Sequence, residues 1–541
     1  MSSKKIEATE SAHKFPLIIK QLLLGVTTTA PDQEIVYADR VRYTYSDFSR
    51  RIGRLANGLV AFGGRPGATV AMMDWDSHRY LECYFAVPMM GAVLQTVNVR
   101  LSPEQILFTL EDGGAEILLV NRDFLPIIDK IRDRLTSVKI VILLGDEPES
   151  IPDGFAVEYE TLLAASNERY QFPDLDEDVR ATLFHTTGTT GDPKGVCFSH
   201  RQLVLHTLTL LALLGTSPGQ GRFHRDDVYM PLTPMFHVHA WGFPYAATMA
   251  GVKQVYPGRY QPEVIGRLLA REGVTISHCV PTILQMLLQS PACEGVDLSR
   301  WKVVVGGSAL STALASAALK RGIDVFTGYG MSETCPVLAL ARVDTRDLGP
   351  ADVAIRTKAG RPSLLVDMRV VGPDMRELPR DGKAIGEVVV RAPWLVQGYL
   401  GRPDASEALW AGGWLHTQDV GTIDAKGYLQ ITDRIKDVIK TGGEWVSSLQ
   451  IEEIISQHPG VAEVAVIGVT DEVWGERPKA FVVLRPGQSV DAKEIRRHVM
   501  LRAEVGQISK YGVPDQVEIV DALPRTSVGK LNKRSLRHSP L

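Results

Sequence analysis

Residues 185–195 read HTTGTTGDPKG, a set of types suited to holding an anion. Glycines at 188, 191 and 195 let backbone amides approach a charged oxygen without interference from a Cβ. Thr186, Thr187, Thr189 and Thr190 add hydroxyl donors, and Lys194 adds positive charge. The spacing is not that of the P-loop, GxxxxGK[ST], so any nucleotide held here is held by a different device. The competing reading of a loop rich in Gly and Thr is a polar surface turn.

Four more segments carry polar or charged side chains: TGYGMSET at 327–334, HTQDV at 416–420, TDRIKDVIKTGGEWVSSLQIEE from Thr432, and LPRTSVGKLNK from Leu523. Taken with TTGTTGDPKG and in this order, they resemble the signature segments of the adenylate-forming superfamily, which contains acyl-CoA synthetases, luciferases and peptide-synthetase adenylation domains. The five run from Thr186 to Lys530, and the resemblance covers nearly the whole chain. The run PMFHVHAWGFPYAATMAG at 234–251 looks like the medium- and long-chain fatty-acid–CoA ligase branch.

The resemblance implies an AMP-forming acid–thiol ligase with ATP and coenzyme A as cosubstrates and Mg2+ as cofactor. A carboxylate is a poor acyl donor because oxide would have to leave. Attack of its oxygen on the α-phosphate of ATP gives an acyl-adenylate, from which AMP leaves readily. That first step brings an anion toward a polyanion, so cations and oriented amides must offset the repulsion. Lys530 is the lysine expected at the reaction centre. Glu333 and Thr186 are the expected metal ligands, since a hard cation on phosphate oxygens favours carboxylate and hydroxyl partners.

Thr186, Thr187, Gly188, Thr189 and Thr190 are expected on the β- and γ-phosphates, with Lys194 as a clamp on that leaving group or as a cation that anchors the loop. Thr327, Gly328, Tyr329 and Ser332 belong to the adenine segment, with Tyr329 stacking on the base. Asp419 offers two oxygens to the ribose hydroxyls, and Arg434 assists. Gln418, next to it, is a departure, because many relatives have glycine there. Lys436, Lys440 and Trp445 are expected at the adenylate, and Gly442–Gly443 beside them are the candidate hinge. On the acyl side, His237, Val238, Trp241, Gly307, Pro336 and Val337 are the expected contacts. Trp241 is read as a gate on the acyl tunnel, and Gly306, Gly307 and Ser308 as a wall beside the carboxylate. His237 and His239 form an HxH pair, but no comparable third ligand lies nearby, so metal binding is not expected there.

The leading reading is a fatty-acid–CoA ligase. The alternative is a CoA ligase for a short, aryl or thioether carboxylic acid, such as a methylthiopropionate-type acid, which shares every ATP-side residue. A peptide-synthetase adenylation domain is disfavoured by the lack of a carrier segment after Lys530. A luciferase-like oxygenase lacks any sign of its own substrate. A non-catalytic relative is at odds with intact Thr186, Glu333, Asp419 and Lys530.

These residues need rigid elements to position them. At 541 residues the chain exceeds what one hydrophobic core usually supports, and 45% apolar with 23% charged residues is an ordinary globular composition. Helical runs such as TYSDFSRRIGRLANGLVAFG, with Thr44 or Ser46 as N-cap, alternate with apolar strands such as AEILLVN. That alternation predicts a large N-terminal α/β domain of doubly wound subdomains. After about residue 350 a β-rich subdomain follows, and then a small mobile α+β C-terminal domain. The expected boundaries are 1–433 and 434–541.

The net charge of −4 gives no general field for nucleic acid. Five scattered cysteines without CxxC, and no signal-like N-terminus, point to a cytoplasmic location. The apolar stretch Leu203–Leu214 is too short to span a membrane and is expected to be a buried helix, so no stable membrane insertion is expected. The resembling branch includes homodimers, and a homodimer is the corresponding expectation.

Overall fold

The computed structural model describes residues 6–146, 150–186, 193–216, 221–344, 349, 352–441, 444–525 and 531–538, with the side chains of 444 and 445 excepted. Two mostly parallel sheets form the body. The first has seven strands, in spatial order Val157–Glu158, Ile140–Leu144, Ala115–Asn121, Thr69–Met73, Val93–Thr96, Arg180–Thr186 and Lys194–Ser199. Only its last pair is antiparallel. The second has nine strands. Its parallel centre includes Asp324–Gly330, Lys302–Val305, Ile276–Cys279 and Val228–Leu232, and antiparallel strands close both edges. The strand Lys302–Val305 is buried along its whole length, its three valines on both faces, as in a parallel sheet covered on both sides.

Local signals set the helices. Thr44 caps the helix Tyr45–Ala61 with a capping box to Asp47, and Ser199 does the same with Gln202 for the helix His200–Gly215. The apolar stretch Leu203–Leu214 lies within that second helix, and no described helix is long and apolar enough to cross a membrane.

A four-stranded antiparallel sheet follows: Asp367–Val371, Gly386–Arg391, Leu415–Ile423 and Leu429–Arg434. The small C-terminal domain has its own five-stranded sheet, which begins at Ile439–Thr441, and its own apolar core around Ile451, Ile455, Val466, Val482 and Ile495. The passage from one sheet to the other is therefore the short segment between Arg434 and Ile439. Gly442 and Gly443, the candidate hinge, lie outside the described residues. The strands on either side of them pair with each other, Thr441 opposite Glu444, within the small domain's sheet.

Candidate active site

Thr186 ends the strand Arg180–Thr186 and pairs directly with Lys194, the first residue of the antiparallel strand Lys194–Ser199. The Gly/Thr loop thus joins two strands of a hairpin, where a P-loop would run from a strand into a helix. The hairpin is held from outside by the segment 395–400. Leu400 N–H donates to the Gly195 carbonyl at 2.9 Å, and a Cβ on Gly195 would come within 2.9 Å of the Leu400 Cβ. Glycine at 195 is therefore needed for close packing, a role separate from anion contact.

The same segment joins Lys194 to Glu333. The ammonium of Lys194 lies 4.7 Å from the centre of the Tyr399 ring. The Tyr399 hydroxyl donates to Glu333 Oε1 at 2.7 Å. Burial and this carboxylate push the Tyr399 phenol well above its usual pKa, so it stays a donor. Val396 N–H donates to the Glu333 carbonyl at 3.0 Å, which fixes the backbone as well. Glu333 sits in the 3₁₀ turn Ser332–Thr334 and is buried. Tyr399 carried no signal in the sequence: it is one tyrosine in LVQGYLGRP, and only the fold brings it to Glu333.

Tyr329 lies near the end of the strand Asp324–Gly330, just before Glu333. Its hydroxyl donates to Asp419 Oδ2 at 2.8 Å. Asp419 stands in the strand Leu415–Ile423 opposite Arg434, whose guanidinium is 3.5 Å from Asp419 Oδ1. Burial, and next the Asp419 charge, raise the Tyr329 phenol well above its usual pKa. The buried Thr327 hydroxyl has no partner among the described residues. Gln418 adopts φ of +59°, the left-handed region that glycine enters without penalty. Thr186 and Tyr329 both sit near the carboxyl ends of sheet strands, where open α/β sheets bind ligands.

On the acyl side, the backbone from Val238 to Gly242 runs through five consecutive positive φ values, from 46° to 76°. A left-handed turn of L-residues costs roughly 1–2 kcal/mol per residue, so packing must enforce it. His239 is enclosed by the rings of Tyr84, Phe184, Phe198 and Tyr245, and neither of its ring nitrogens has a partner among the described residues. Burial pulls its pKa down to about 3, so the ring is neutral at ordinary pH. Trp241 packs on His278, with ring centres 5.0 Å apart. A Cβ on Gly306 would fall 2.9 Å from the Trp241 ring and 2.8 Å from the Gly328 carbonyl. The close approach that Gly306 permits is thus taken up by the indole. Gly307 has φ of +79°, and Ser308 beside it is exposed. Val238, Pro336 and Val337 are buried, and His237 is half-buried.

Lys436, within the interdomain passage, and Lys440, just beyond it, are both exposed. Thr187, Gly188, Thr189, Thr190, Lys530 and the Trp445 side chain lie outside the described residues. Among the described residues no three His, Cys, Asp or Glu side chains gather as a metal cage. The donors that fit Mg2+ are the buried Glu333 carboxylate and the Thr186 hydroxyl, because Mg2+ commonly takes one or two carboxylates and completes its shell with phosphate oxygens and water.

A large α/β body with polar groups gathered at strand ends, followed by a small α+β domain, defines a nucleotide-binding enzyme of the adenylate-forming kind. The chain belongs to the AMP-binding enzyme family: residues 26–400 match that family, and residues 450–530 match its C-terminal domain. It is 39% identical over 502 residues to the long-chain-fatty-acid–CoA ligase of Thermus thermophilus, covering 92% of this chain and 90% of that protein. It is 38% identical over 502 residues to the 3-methylmercaptopropionyl-CoA ligase of Ruegeria pomeroyi, covering 91% and 90%. ATP-bound MatB from Rhodopseudomonas palustris superposes with a TM-score of 0.84 at 28% identity, covering 97% of this chain and 98% of that one. The apo form of MatB, with the same coverage and identity, gives 0.74. The protein is an AMP-forming acid–thiol ligase.

Proposed function

We propose that this enzyme is a fatty-acid–CoA ligase that works in two steps within one cleft. The observation that supports the placing of ATP is the run of contacts from Asp419 through Tyr329, and from Glu333 through Tyr399 to Lys194. Asp419 takes the ribose hydroxyls, the segment Thr327–Ser332 takes the adenine, and the hairpin residues Thr186–Lys194 take the β- and γ-phosphates. Mg2+ on Glu333 and Thr186 would neutralise charge on the phosphate oxygens. The substrate carboxylate attacks the α-phosphorus, pyrophosphate leaves, and Lys530 stabilises the charge that develops there. The thiol of coenzyme A then attacks the acyl carbonyl and AMP leaves. Residues 1–433 supply the ATP and acyl sites, and residues 434–541 act as the moving part. Lys436, Lys440 and Trp445 contact the adenylate from that side. A cytoplasmic homodimer belongs to the same reading.

A second reading is favoured by the position of Trp241. The indole lies against Gly306, and we read that position as closing the acyl space at that wall, which suits a short, aryl or thioether acid. A long chain requires the indole to turn away. Measuring AMP release with coenzyme A across short-, medium- and long-chain acids, together with aryl and thioether acids, decides between them. Highest kcat/KM on medium or long chains supports the first reading, and highest kcat/KM on a short, aryl or thioether acid supports the second.

A further inference from the structure

One buried relay of hydrogen bonds spans the passage between the two domains. Asp433, near the end of the strand Leu429–Arg434, is 2% exposed. Its Oδ2 accepts from both the backbone N–H and the hydroxyl of Ser448, each at 2.7 Å. Ser448 is the first residue of the small domain's helix Ser448–Ser456. Lys533 Nζ donates to Ser448 Oγ at 2.6 Å and pairs with Glu452 Oε1 at 2.7 Å, one helical turn further along. Glu452 Oε1 also accepts from Val466 N–H at 2.7 Å. Beside the relay, the Ser447 hydroxyl donates to the Thr432 carbonyl.

The chemistry of the relay is complete. The Ser448 hydroxyl donates to Asp433 and accepts from Lys533. Burial raises the Asp433 and Glu452 carboxyls, and the Lys533 charge opposes that for both. Buried carboxylates need such a partner to remain charged. Lys533 opens the helix Lys533–His538, and Arg537, one turn along it, pairs with Asp437 at 2.7 Å. The C-terminal helix therefore holds Asp437, within the interdomain passage, and Ser448 and Glu452, on the helix beyond it. Of these contacts, Asp433 to Ser448 and Ser447 to Thr432 join different domains, so they depend on how the domains are arranged.

We propose that Asp433, Ser448 and Lys533 form a latch that favours the domain arrangement seen here, with Asp433 and Lys533 as positioning residues for the adenylation step. This rests on the two-step ligase reading above. The better superposition on MatB with ATP bound, 0.84 against 0.74 for its apo form, associates this arrangement with nucleotide. The latch touches no reacting atom. It acts by setting how often the small domain occupies this arrangement.

The test uses the full-length enzyme and measures each step separately. Acid-dependent ATP–pyrophosphate exchange reports the first step, and transfer from a supplied acyl-adenylate to coenzyme A reports the second. Asp433→Asn and Lys533→Met are expected to lower exchange about tenfold while transfer changes less than about twofold, the loss expected for one charge-assisted contact. Lys533→Arg keeps the charge and is expected to retain most of the exchange. Should Lys533→Met fail to fold, Ser448→Ala, which keeps both charges and removes the bridging hydroxyl, is expected to give the same split. Parallel loss of both steps, or unchanged exchange in all variants, overturns the latch. A wild-type enzyme that exchanges pyrophosphate with no acid overturns the ligase reading itself, and with it the step assigned to the latch.

Discussion

The Tyr399 hydroxyl donates to Glu333 Oε1 at 2.7 Å while the ring of the same tyrosine lies 4.7 Å from the Lys194 ammonium. One side chain thus couples the carboxylate proposed for Mg2+ to the hairpin proposed for the phosphates. Phenylalanine would keep the ring under Lys194 and remove only the hydroxyl. Tyr399→Phe is expected to lower kcat/KM for ATP about tenfold, since a hydrogen bond to a carboxylate is a strong one, and to raise the Mg2+ concentration needed for half-maximal rate. Pyrophosphate exchange at varied ATP and Mg2+ checks this, and an unchanged Mg2+ dependence would remove Glu333 as the metal ligand.

Lys530→Ala is expected to abolish adenylate formation and to leave transfer from a supplied acyl-adenylate largely intact. Removing one charge at a reaction centre commonly costs about a hundredfold or more. Exchange at the wild-type rate would refute the assignment of Lys530.

Trp241→Ala opens the space over Gly306 and is expected to shift preference toward longer acids, with little change in KM for ATP. Gly306→Ala acts in the opposite sense. Its methyl group would press on the indole and on the Gly328 carbonyl, so activity is expected to fall with every acid. Chain-length profiles of both variants test the gate, and a profile unchanged in Trp241→Ala would remove it.

Gln418 carries a left-handed φ of +59° beside Asp419. Gln418→Gly relieves that strain but adds chain entropy to the unfolded state, for a net gain of about 0.5–1 kcal/mol. Thermal unfolding is expected to shift upward by one or two degrees, roughly the scale expected for a large domain. A lower Tm would mean that the glutamine side chain contributes packing that outweighs the strain.

His239 is buried with no partner among the described residues, and its pKa is lowered to about 3, against 6.5 for a free imidazole. The unfolded chain therefore binds a proton at this position before the folded one does. The sign follows: the contribution is fully present above pH 6.5 and is lost as pH falls toward 3. His239→Asn accepts the left-handed backbone and does not titrate, so its Tm is expected to fall less than that of wild type between pH 7 and pH 4.5, a range of about two units within that window. Equal slopes for the two proteins would show that the imidazole is protonated in the fold.

The sequence by itself determined the class of enzyme and pointed to the segments proposed here for ATP. TTGTTGDPKG, TGYGMSET and HTQDV each carry their polar side chains on a few consecutive residues, so their chemistry is legible without the fold. The alternation of helix and strand was legible for the same reason, since periodicity and caps such as Thr44 and Ser199 are local. Only the tertiary structure decided which distant residues complete those segments. Tyr399 reaches Glu333 across 66 residues, and Lys533 reaches Ser448 across 85. Neither partner can be read from spacing, because sheet order and helix packing set the approach. Gly306 shows the same limit: nothing in its sequence context announces that the Trp241 ring packs against it. Local side-chain chemistry follows from the order of residues, while contacts, burial and backbone strain depend on what the folded chain brings alongside.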